Sequence, residues 1–333
     1  MNRLLPVLIS CILTFSFGRR EMKKIQINGS AQGTTYHITY YAKDCVIVKS
    51  QIDSLLNAID QSLSLYNPNS LINQFNQSNE GLTVDNHFVA VTKAAQSIFQ
   101  KTNGLFDITI GPLTKAWGFG PVKPDSLPNE KAIQSLLPCV DSRLLYWEGK
   151  KLKKKDPCVQ LDANGIAQGY SVDQLGLLLE QNGISDYLVE LGGEIRVKGK
   201  KWPEQTKMSV GIETPGEDFA PTVMKKIVWL DKGALTTSGN YRRYRESGGK
   251  HLSHLINPRT GYPFENELIS VTVYAPDAIT ADAYDNALMG MGLRQALDFV
   301  EKQPGLGAYF IYRQKNGNIA DSTSRIFRSL LQP

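Results

Sequence analysis

The sequence contains little cysteine and no stripe of basic residues interleaved with aromatic ones. Four cysteines occur in 333 residues, and Cys45, Cys139 and Cys158, which follow the N-terminal segment, lack metal-ligand spacing. A Cys139–Cys158 disulfide is compatible with an oxidising compartment, although passive residues are the favoured interpretation. The net charge is only +5, and the missing basic stripe argues against nucleic acid as a partner.

Internal repeats and low-complexity linkers are also missing. A chain of this length can bury a sizeable core, and its strand and helix patterns are intermixed without a strict βαβ rhythm. These features predict one α+β domain over residues 22–333. Strands are predicted at 25–41 (around Gly33), 187–191, 208–213, 226–231, 269–274 and 307–312, and helices at 48–64, 165–181, 277–291 and 294–302 and after caps at Asn86 and Asn129.

The N-terminus lacks an apolar run long enough to span a bilayer comfortably. Arg3 precedes a short apolar stretch, which is typical of a signal segment over residues 1–18. Ser10-Cys11 has the form of a bacterial lipoprotein cleavage site, and the alternatives are ordinary cleavage near Gly18 or retention as a weak anchor. We expect an exported protein on the periplasmic side of the inner membrane, lipid-anchored at Cys11.

Two glycine-containing segments could approach a ligand closely. Residues 104–112 and 117–120 combine glycines with Phe106, Trp117 and Phe119, which offer flat surfaces for a ring; a buried loop with core aromatics is the alternative. Residues 162–170 place a polar turn before a helix, whose N-terminal N–H groups can bind an anion. Asp162 is there either a ligand contact or a plain helix cap.

Two further segments carry ionisable side chains. His254 follows a stretch rich in hydroxyls at 236–241 and could act as a general base, although a structural histidine is the more frequent outcome. Asp282, Asp285 and Asn286 occupy positions i, i+3 and i+4 of a predicted helix, so their oxygens share one face and suit a hard cation such as Mg²⁺. A solvated acidic first turn is the alternative, and the flanking alanines argue against it.

Taken in order, several segments resemble the ApbE family of FAD:protein FMN transferases. The matching stretches are 33–36, 64–76, 104–111, 162–173, 190–194, 237–241, 254–263 and 281–292, which together cover nearly the whole chain from about residue 28 to 312. Each motif alone is weak, but eight in the same order are highly specific.

The resemblance implies an enzyme that binds FAD with Mg²⁺, cleaves its pyrophosphate and attaches FMN to a threonine of a partner protein. Typical partners are flavoprotein subunits of membrane redox complexes. An FAD pyrophosphatase that releases FMN and AMP, and a flavin-binding lipoprotein without turnover, are the alternatives.

The resemblance also assigns roles to residues. Flavin contacts are expected from Tyr66 by stacking and from Leu105, Phe106, Asp107, Asp162, Gln168 and Leu255; the metal is expected at Asp282, Asp285, Asn286 and the carbonyl of Gly165; and His254 is expected to help deprotonate the acceptor hydroxyl. The chain departs from the family pattern at three positions. Gln32 replaces a methionine, Gln168 a lysine and Asn286 a threonine.

Overall fold

The computed structural model describes residues 21–214, 223–240, 244–247 and 250–332. The predicted signal segment 1–18 and the lipidation site at Cys11 lie outside these residues, so they stay predictions, as do the exact limits of the domain. Within the described part of the chain, no helix combines the length and apolarity that a membrane span requires.

The strands are β1 (Lys23–Ala31), β2 (Thr34–Ala42), β3 (Gly81–Thr83), β4 (Leu145–Glu148), β5 (Lys151–Lys154), β6 (Tyr187–Leu191), β7 (Glu194–Lys198), β8 (Met208–Thr214), β9 (Val223–Leu230), β10 (Lys232–Gly239), β11 (Tyr244–Ser247), β12 (Lys250–Ser253), β13 (Leu268–Ala275), β14 (Gly307–Arg313) and β15 (Ile319–Thr323). The helices are α1 (Lys49–Leu63), α2 (Leu71–Gln77), α3 (Asn86–Lys101), α4 (Gly111–Ala116), α5 (Glu130–Leu136), α6 (Ala167–Gln181), α7 (Ala278–Met291), α8 (Leu293–Glu301) and α9 (Arg325–Ser329).

One large sheet organises the molecule, in the order β1-β2-β6-β7-β10-β13-β14-β15. Every neighbouring pair in it is antiparallel. β1 and β2 form a hairpin whose two turn residues, Gln32 and Gly33, both have positive φ, as a two-residue turn that follows the twist of the sheet requires. Smaller sheets join β3-β5-β4, β8-β9 and β11-β12.

Both faces of strand β14 are buried, which explains why its residues 308–311 are apolar without interruption. Along β14, Ala308 and Phe310 pack into one cluster with α3, α7 and α8, whereas Tyr309 and Ile311 pack on the opposite face with β8, β9 and Phe327. A strand buried on both faces shows a continuous apolar run rather than alternation. The predicted α+β single domain is therefore confirmed.

Helix α7 lies inside this structure, in contact with α6, β10 and β13. It is apolar on most of its circumference, which is typical of a buried helix rather than a surface one. Its residues Ala281, Ala283, Ala287 and Leu288 belong to the main core cluster. The helix therefore carries its polar residues, Asp282, Asp285 and Asn286, into the interior.

The structure corrects several details of the sequence prediction. The α3 cap is Asp85, whose side chain accepts from Phe88 N, and not Asn86, whereas Asn129 caps α5 as predicted. β7 and β10 were missed. In β10, the Lys, Gly, Thr and Ser residues do not form the apolar pattern of a strand. Cys139 and Cys158 form a disulfide, so the interpretation of these two as passive residues was wrong.

Candidate active site

A cavity of about 240 Å³ lies between α7, the start of α6, the ends of β7 and β10, and the segment after β12. It gathers eleven of the twelve residues predicted from sequence, although they are spread over 182 positions from residue 105 to 286. These are Leu105, Phe106, Asp107, Asp162, Gly165, Gln168, His254, Leu255, Asp282, Asp285 and Asn286.

Tyr66 is the exception. It follows α1, is 61% exposed and is not part of the cavity wall. The predicted stacking of its ring on the flavin stays a prediction, and it requires a ligand that extends out of the cavity towards this loop.

The two aspartates of α7 are almost completely buried, with exposures of 4% for Asp282 and 2% for Asp285. The alternative of a solvated acidic turn was therefore wrong. Burial raises the pKa of Asp282 to about 7. Burial, followed by the adjacent Asp282 charge, raises the pKa of Asp285 well above its usual value.

Few protein groups compensate these carboxylates. The Gly169 amide donates to Asp282 Oδ2 over 2.9 Å, but Asp285 Oδ1 is buried without a hydrogen-bond partner among the described residues. The cavity wall contains no lysine or arginine within that same part of the chain. An uncompensated buried charge costs about 3–5 kcal/mol, so this pair of carboxylates fits a bound cation.

Neutral oxygens must complete such a site, because no three His, Cys, Asp or Glu side chains of the described residues form a metal-binding group. The Asn286 amide nitrogen donates to Asp282 O over 3.0 Å and faces Gly165 O at 3.3 Å. Its Oδ1 lies 3.4 Å from Ser238 Oγ. Asn286 must therefore rotate its amide to present an oxygen to a cation beside the Gly165 carbonyl.

The turn before α6 is held by Asp162, but not as a helix cap. Its Oδ1 accepts from Asn164 N over 2.9 Å and its Oδ2 accepts from Thr114 Oγ1 over 2.8 Å. The residue at the helix cap is Ile166, whose side chain makes no capping bond. The cap interpretation of Asp162 was therefore wrong, and its carboxylate fixes the cavity wall to α4.

The start of α6 offers few donors to an anion. The amides of Ile166 and Ala167 both donate to Ala163 O, and the Gly169 amide is taken by Asp282. The prediction of an anion site formed by this helix N-terminus is therefore weakened, because anion binding there relies on amides that lack an internal partner.

Asp107 supports its loop from within. Its Oδ1 accepts from Thr109 N, Thr109 Oγ1 and Ser142 Oγ, and its Oδ2 accepts from Ser142 N. Its neighbours Leu105 and Phe106 contribute apolar surface to the cavity. With the carboxylate committed to these bonds, the loop presents apolar side chains rather than charge to a ligand.

The aromatic residues of the 117–120 segment separate into two roles. Trp117 is buried in a small core cluster with Leu113 and Ile256, and its indole N–H donates to Gly261 O over 2.7 Å. Phe119 lines the cavity and meets the His254 ring edge-on, with 6.3 Å between centroids. The core interpretation therefore holds for Trp117, and Phe119 contacts the histidine inside the cavity.

Sequence reasoning missed some wall residues. Glu194 follows the Gly192-Gly193 turn and is buried near Asp285, and Thr114 reaches the cavity from α4. Asn76 does not line the cavity but holds the residue before Asp162: it accepts from the Leu161 N–H over 2.7 Å and donates to the Leu161 carbonyl over 2.9 Å. The signal that could have found Glu194 was its position beside paired glycines.

The fold of this chain matches that of proteins with solved structures. The fold superimposes on the flavin transferase ApbE from Vibrio cholerae with a TM-score of 0.83 and 32% identity, covering 93% of this chain and 100% of that one. It superimposes equally on the apo flavinyl transferase ApbE of Pseudomonas stutzeri, with a TM-score of 0.83 and 30% identity over 94% and 98% of the two chains. The fold is thus that of flavin transferases.

The chain belongs to the ApbE family, whose sequence model matches residues 32–310. A Haemophilus influenzae relative named FAD:protein FMN transferase is 33% identical and covers 97% of both chains. An Escherichia coli relative of the same name is 35% identical over 86% of this chain and 84% of its own length. The resemblance inferred from the ordered motifs is confirmed.

Proposed function

We propose that this protein is a Mg²⁺-dependent FAD:protein FMN transferase that attaches FMN to a threonine of a partner protein. The observation that carries the proposal is that two buried, poorly compensated carboxylates of α7 line the same cavity as His254 and a rim of apolar side chains. The names of relatives that share about a third of the sequence over most of the chain support the reaction class.

Mg²⁺ would be held by Asp282, Asp285, Asn286 and the Gly165 carbonyl. This all-oxygen donor set is the type that Mg²⁺ prefers. The clearest sign of the fit is the buried Asp285 Oδ1, which has no hydrogen-bond partner in the described part of the chain. When bound, the ion would neutralise charge on the pyrophosphate. Among the described residues of the cavity wall, no lysine or arginine is present that could supply this positive charge.

The flavin half of FAD would lie against the apolar rim formed by Leu105, Phe106 and Leu255. These side chains line the cavity together, and Leu255 is fixed because its carbonyl accepts from Phe264 N over 2.9 Å. Gln168 and Asp162 would supply polar contacts. Tyr66 would stack on the part of the ring that extends towards solvent, in agreement with its exposure.

His254 would act as the general base. The acceptor threonine Oγ forms a bond to the phosphorus of the FMN half, the bond from that phosphorus to the bridging oxygen breaks, and AMP leaves. The hydroxyl proton passes to the His254 ring. The chain's main contribution is to position the hydroxyl, base and phosphate together, which accounts for most of the catalysis in phosphoryl-type transfer.

The partner would be a flavoprotein subunit of a membrane redox complex that works outside the cytoplasm, and the enzyme would reach it from a lipid anchor at Cys11. The signal-like pattern of residues 1–18 supports export. The Cys139–Cys158 disulfide also supports it, because disulfides persist mainly in oxidising compartments.

The proposal is tested by incubating the full chain with FAD, MgCl₂ and an acceptor subunit. The expected result is a fluorescent acceptor band on a denaturing gel, with AMP released in equal amount. There are two controls: an acceptor whose threonine is replaced by valine, and a reaction that contains EDTA. Neither should give a fluorescent acceptor band. Labelling of the valine acceptor would refute the threonine assignment, and labelling in EDTA would refute the Mg²⁺ requirement.

The same experiment separates the alternatives. Free FMN and AMP without a labelled acceptor would identify a pyrophosphatase in which water is the nucleophile. Unchanged FAD that co-purifies with the protein would identify a flavin-binding protein without turnover. Either result would overturn the transferase proposal.

A further inference from the structure

Asp173 lies on α6, one helix away from the candidate metal site, and its carboxylate is directed at the start of α7. Asp173 Oδ1 accepts from Ala278 N and Oδ2 accepts from Ile279 N, each over 2.9 Å. These are the first two residues of α7. The carboxylate thereby satisfies two amides that have no partner inside their own helix.

The helix has a separate local cap. Asp277 accepts from Thr280 N over 3.0 Å, within α7's own first turn. Asp277 therefore stabilises the end of the helix without fixing its place in the fold. Asp173 does fix the place of the helix in the fold, because its hydrogen bonds join α6 to α7 across 105 positions of sequence.

A partly buried arginine holds Asp173 in turn. Arg196 Nη1, from β7, lies 2.6 Å from Asp173 Oδ1, and Arg196 Nε donates to Tyr187 Oη over 3.0 Å. A Cβ added at Gly176 would come within 2.8 Å of Arg196, so this glycine makes room for the arginine to pass α6. The pair is therefore built into the packing rather than lying on the surface.

The contacts beyond Asp173 lead directly to the candidate metal ligands. One turn further along α7, Asp282 Oδ2 accepts from Gly169 N of α6, and a Cβ at Gly169 would approach Ala278 O to 2.4 Å. The two helices are thus joined at two points, and each carries metal oxygens: the Gly165 carbonyl precedes α6, and the carboxylates lie on α7.

We propose that Asp173, oriented by Arg196, is a positioning residue that fixes the separation between the Gly165 carbonyl and the α7 carboxylates and so sets the affinity for Mg²⁺. The inference rests on the proposed function, which supplies the metal. Residues that orient metal ligands without touching the metal typically contribute about 10–100-fold to affinity or activity. Asp173 is such a residue, because it joins the two helices that hold the ligands.

The test compares Asp173→Ala and Asp173→Asn with Asp277→Ala in the full chain. Asp277→Ala is the matched control, since it removes a carboxylate cap from the same helix but leaves the link to α6. Mg²⁺ alone is titrated calorimetrically, without flavin. Hydrogen exchange of the peptide containing Gly169 is followed without metal, because the Gly169 amide reports directly on the contact between the helices. Melting temperatures are recorded for all variants.

For Asp173→Ala we expect an Mg²⁺ Kd raised by about 10–100-fold and faster exchange at Gly169. Asp173→Asn keeps one acceptor oxygen but presents an NH₂ group to the other amide, so its Kd should be intermediate. This variant keeps the test available should the alanine variant fail to fold. Asp277→Ala should lower the melting temperature while leaving the Kd and Gly169 exchange close to wild type.

Equal losses of Mg²⁺ affinity in Asp277→Ala and the Asp173 variants would reduce Asp173 to an ordinary helix cap and overturn the inference. Unchanged Mg²⁺ binding and Gly169 exchange in Asp173→Ala would do the same, while leaving the proposed function intact. If the wild-type chain itself bound no Mg²⁺, the metal part of the proposed function would be wrong and this inference would fall with it.

Discussion

At the scale of single residues, the cavity is lined by two carboxylates whose pKa values are raised, Asp282 and Asp285, and by His254. The α7 carboxylates are buried, and Asp285 Oδ1 accepts no hydrogen bond from the residues that the structure describes. The His254 ring contacts the Phe119 ring. Perturbed carboxylates gathered in a cavity are typical of functional sites. The most direct test at this scale concerns the base.

Replacing His254 by alanine should slow FMN transfer by about 10²–10⁴-fold, the usual contribution of a general base. FAD binding should change little, since the proposed role concerns the acceptor hydroxyl. The rate of acceptor labelling and the quenching of flavin fluorescence measure the two effects. His87→Ala is the control, because His87 binds Tyr170 Oη outside the cavity. Undiminished transfer by His254→Ala would exclude the base role.

Lys154 gives a pH prediction. Its ammonium is buried and donates to the carbonyls of Asn76, Pro157 and Val159, and burial lowers its pKa to about 8. The unfolded lysine keeps its ordinary, higher pKa, so above pH 8 the unfolded state binds more protons than the folded one. Stability from this group should therefore rise with pH between about 8 and 10.

Urea unfolding over that pH range measures the effect as the difference in unfolding free energy between wild type and Lys154→Met. Lys155→Met is the control, because Lys155 is exposed and its removal should leave the slope unchanged. A difference between wild type and Lys154→Met that is flat in pH would show that Lys154 titrates normally.

At the scale of elements, the contact between α6 and α7 decides the geometry of the site. Gly169 lies so near α7 that an added Cβ would meet Ala278 O at 2.4 Å, and its amide donates to Asp282. Helix packing normally keeps axes about 8–10 Å apart, and small residues permit the nearer values. The candidate metal ligands therefore depend on a glycine that contributes no side chain of its own.

Gly169→Ala should separate the two helices. The new Cβ would lie 2.4 Å from Ala278 O and 2.7 Å from the Asp282 Cβ, which is a clash with backbone and cannot be relieved by rotating a side chain. We expect a loss of about 1–3 kcal/mol of unfolding free energy, together with weaker Mg²⁺ binding by calorimetry. Leu177→Ala, on the exposed side of the same helix, should leave Mg²⁺ binding intact. Normal Mg²⁺ affinity in Gly169→Ala would contradict this account.

At the scale of the whole molecule, the large sheet and its covering helices bring distant segments to one cavity, and one covalent link adds to them. The Cys139–Cys158 disulfide joins the segment after α5 to the strand-like stretch that leads into Asp162. Leu161 in that stretch is also held by Asn76. The wall of the cavity is therefore fixed by bonds from separate parts of the chain.

Removing the disulfide with Cys139→Ser/Cys158→Ser should lower the free energy of unfolding by about 3 kcal/mol, the value for a closed loop of roughly this size. The sequence separation of the two cysteines is 19. Denaturation with and without reductant checks this, and reduced wild type should match the double variant. Cys45→Ser is the control, because Cys45 is free. Wild-type stability that is insensitive to complete reduction would contradict the prediction.

Much of the architecture follows from local patterns. Apolar spacing predicts α1 and α6 because a helix repeats every 3.6 residues, and Asn129 predicts the start of α5 because its side chain satisfies a free amide. β10 escapes prediction, since its threonines, serine and glycine are placed in a central strand by partners on both sides. Pairing between strands overrides local preference.

The sequence by itself determined the family, the acidic face of α7 and most of the residues that meet in the cavity, because ordered motifs and helical spacing are local properties. Only the tertiary structure decided that the aspartates are buried, that Asp162 ties the wall to α4 instead of capping α6, and that Asp173 joins α6 to α7. Burial and long-range hydrogen bonds depend on which segments pack together, and no local pattern carries that information.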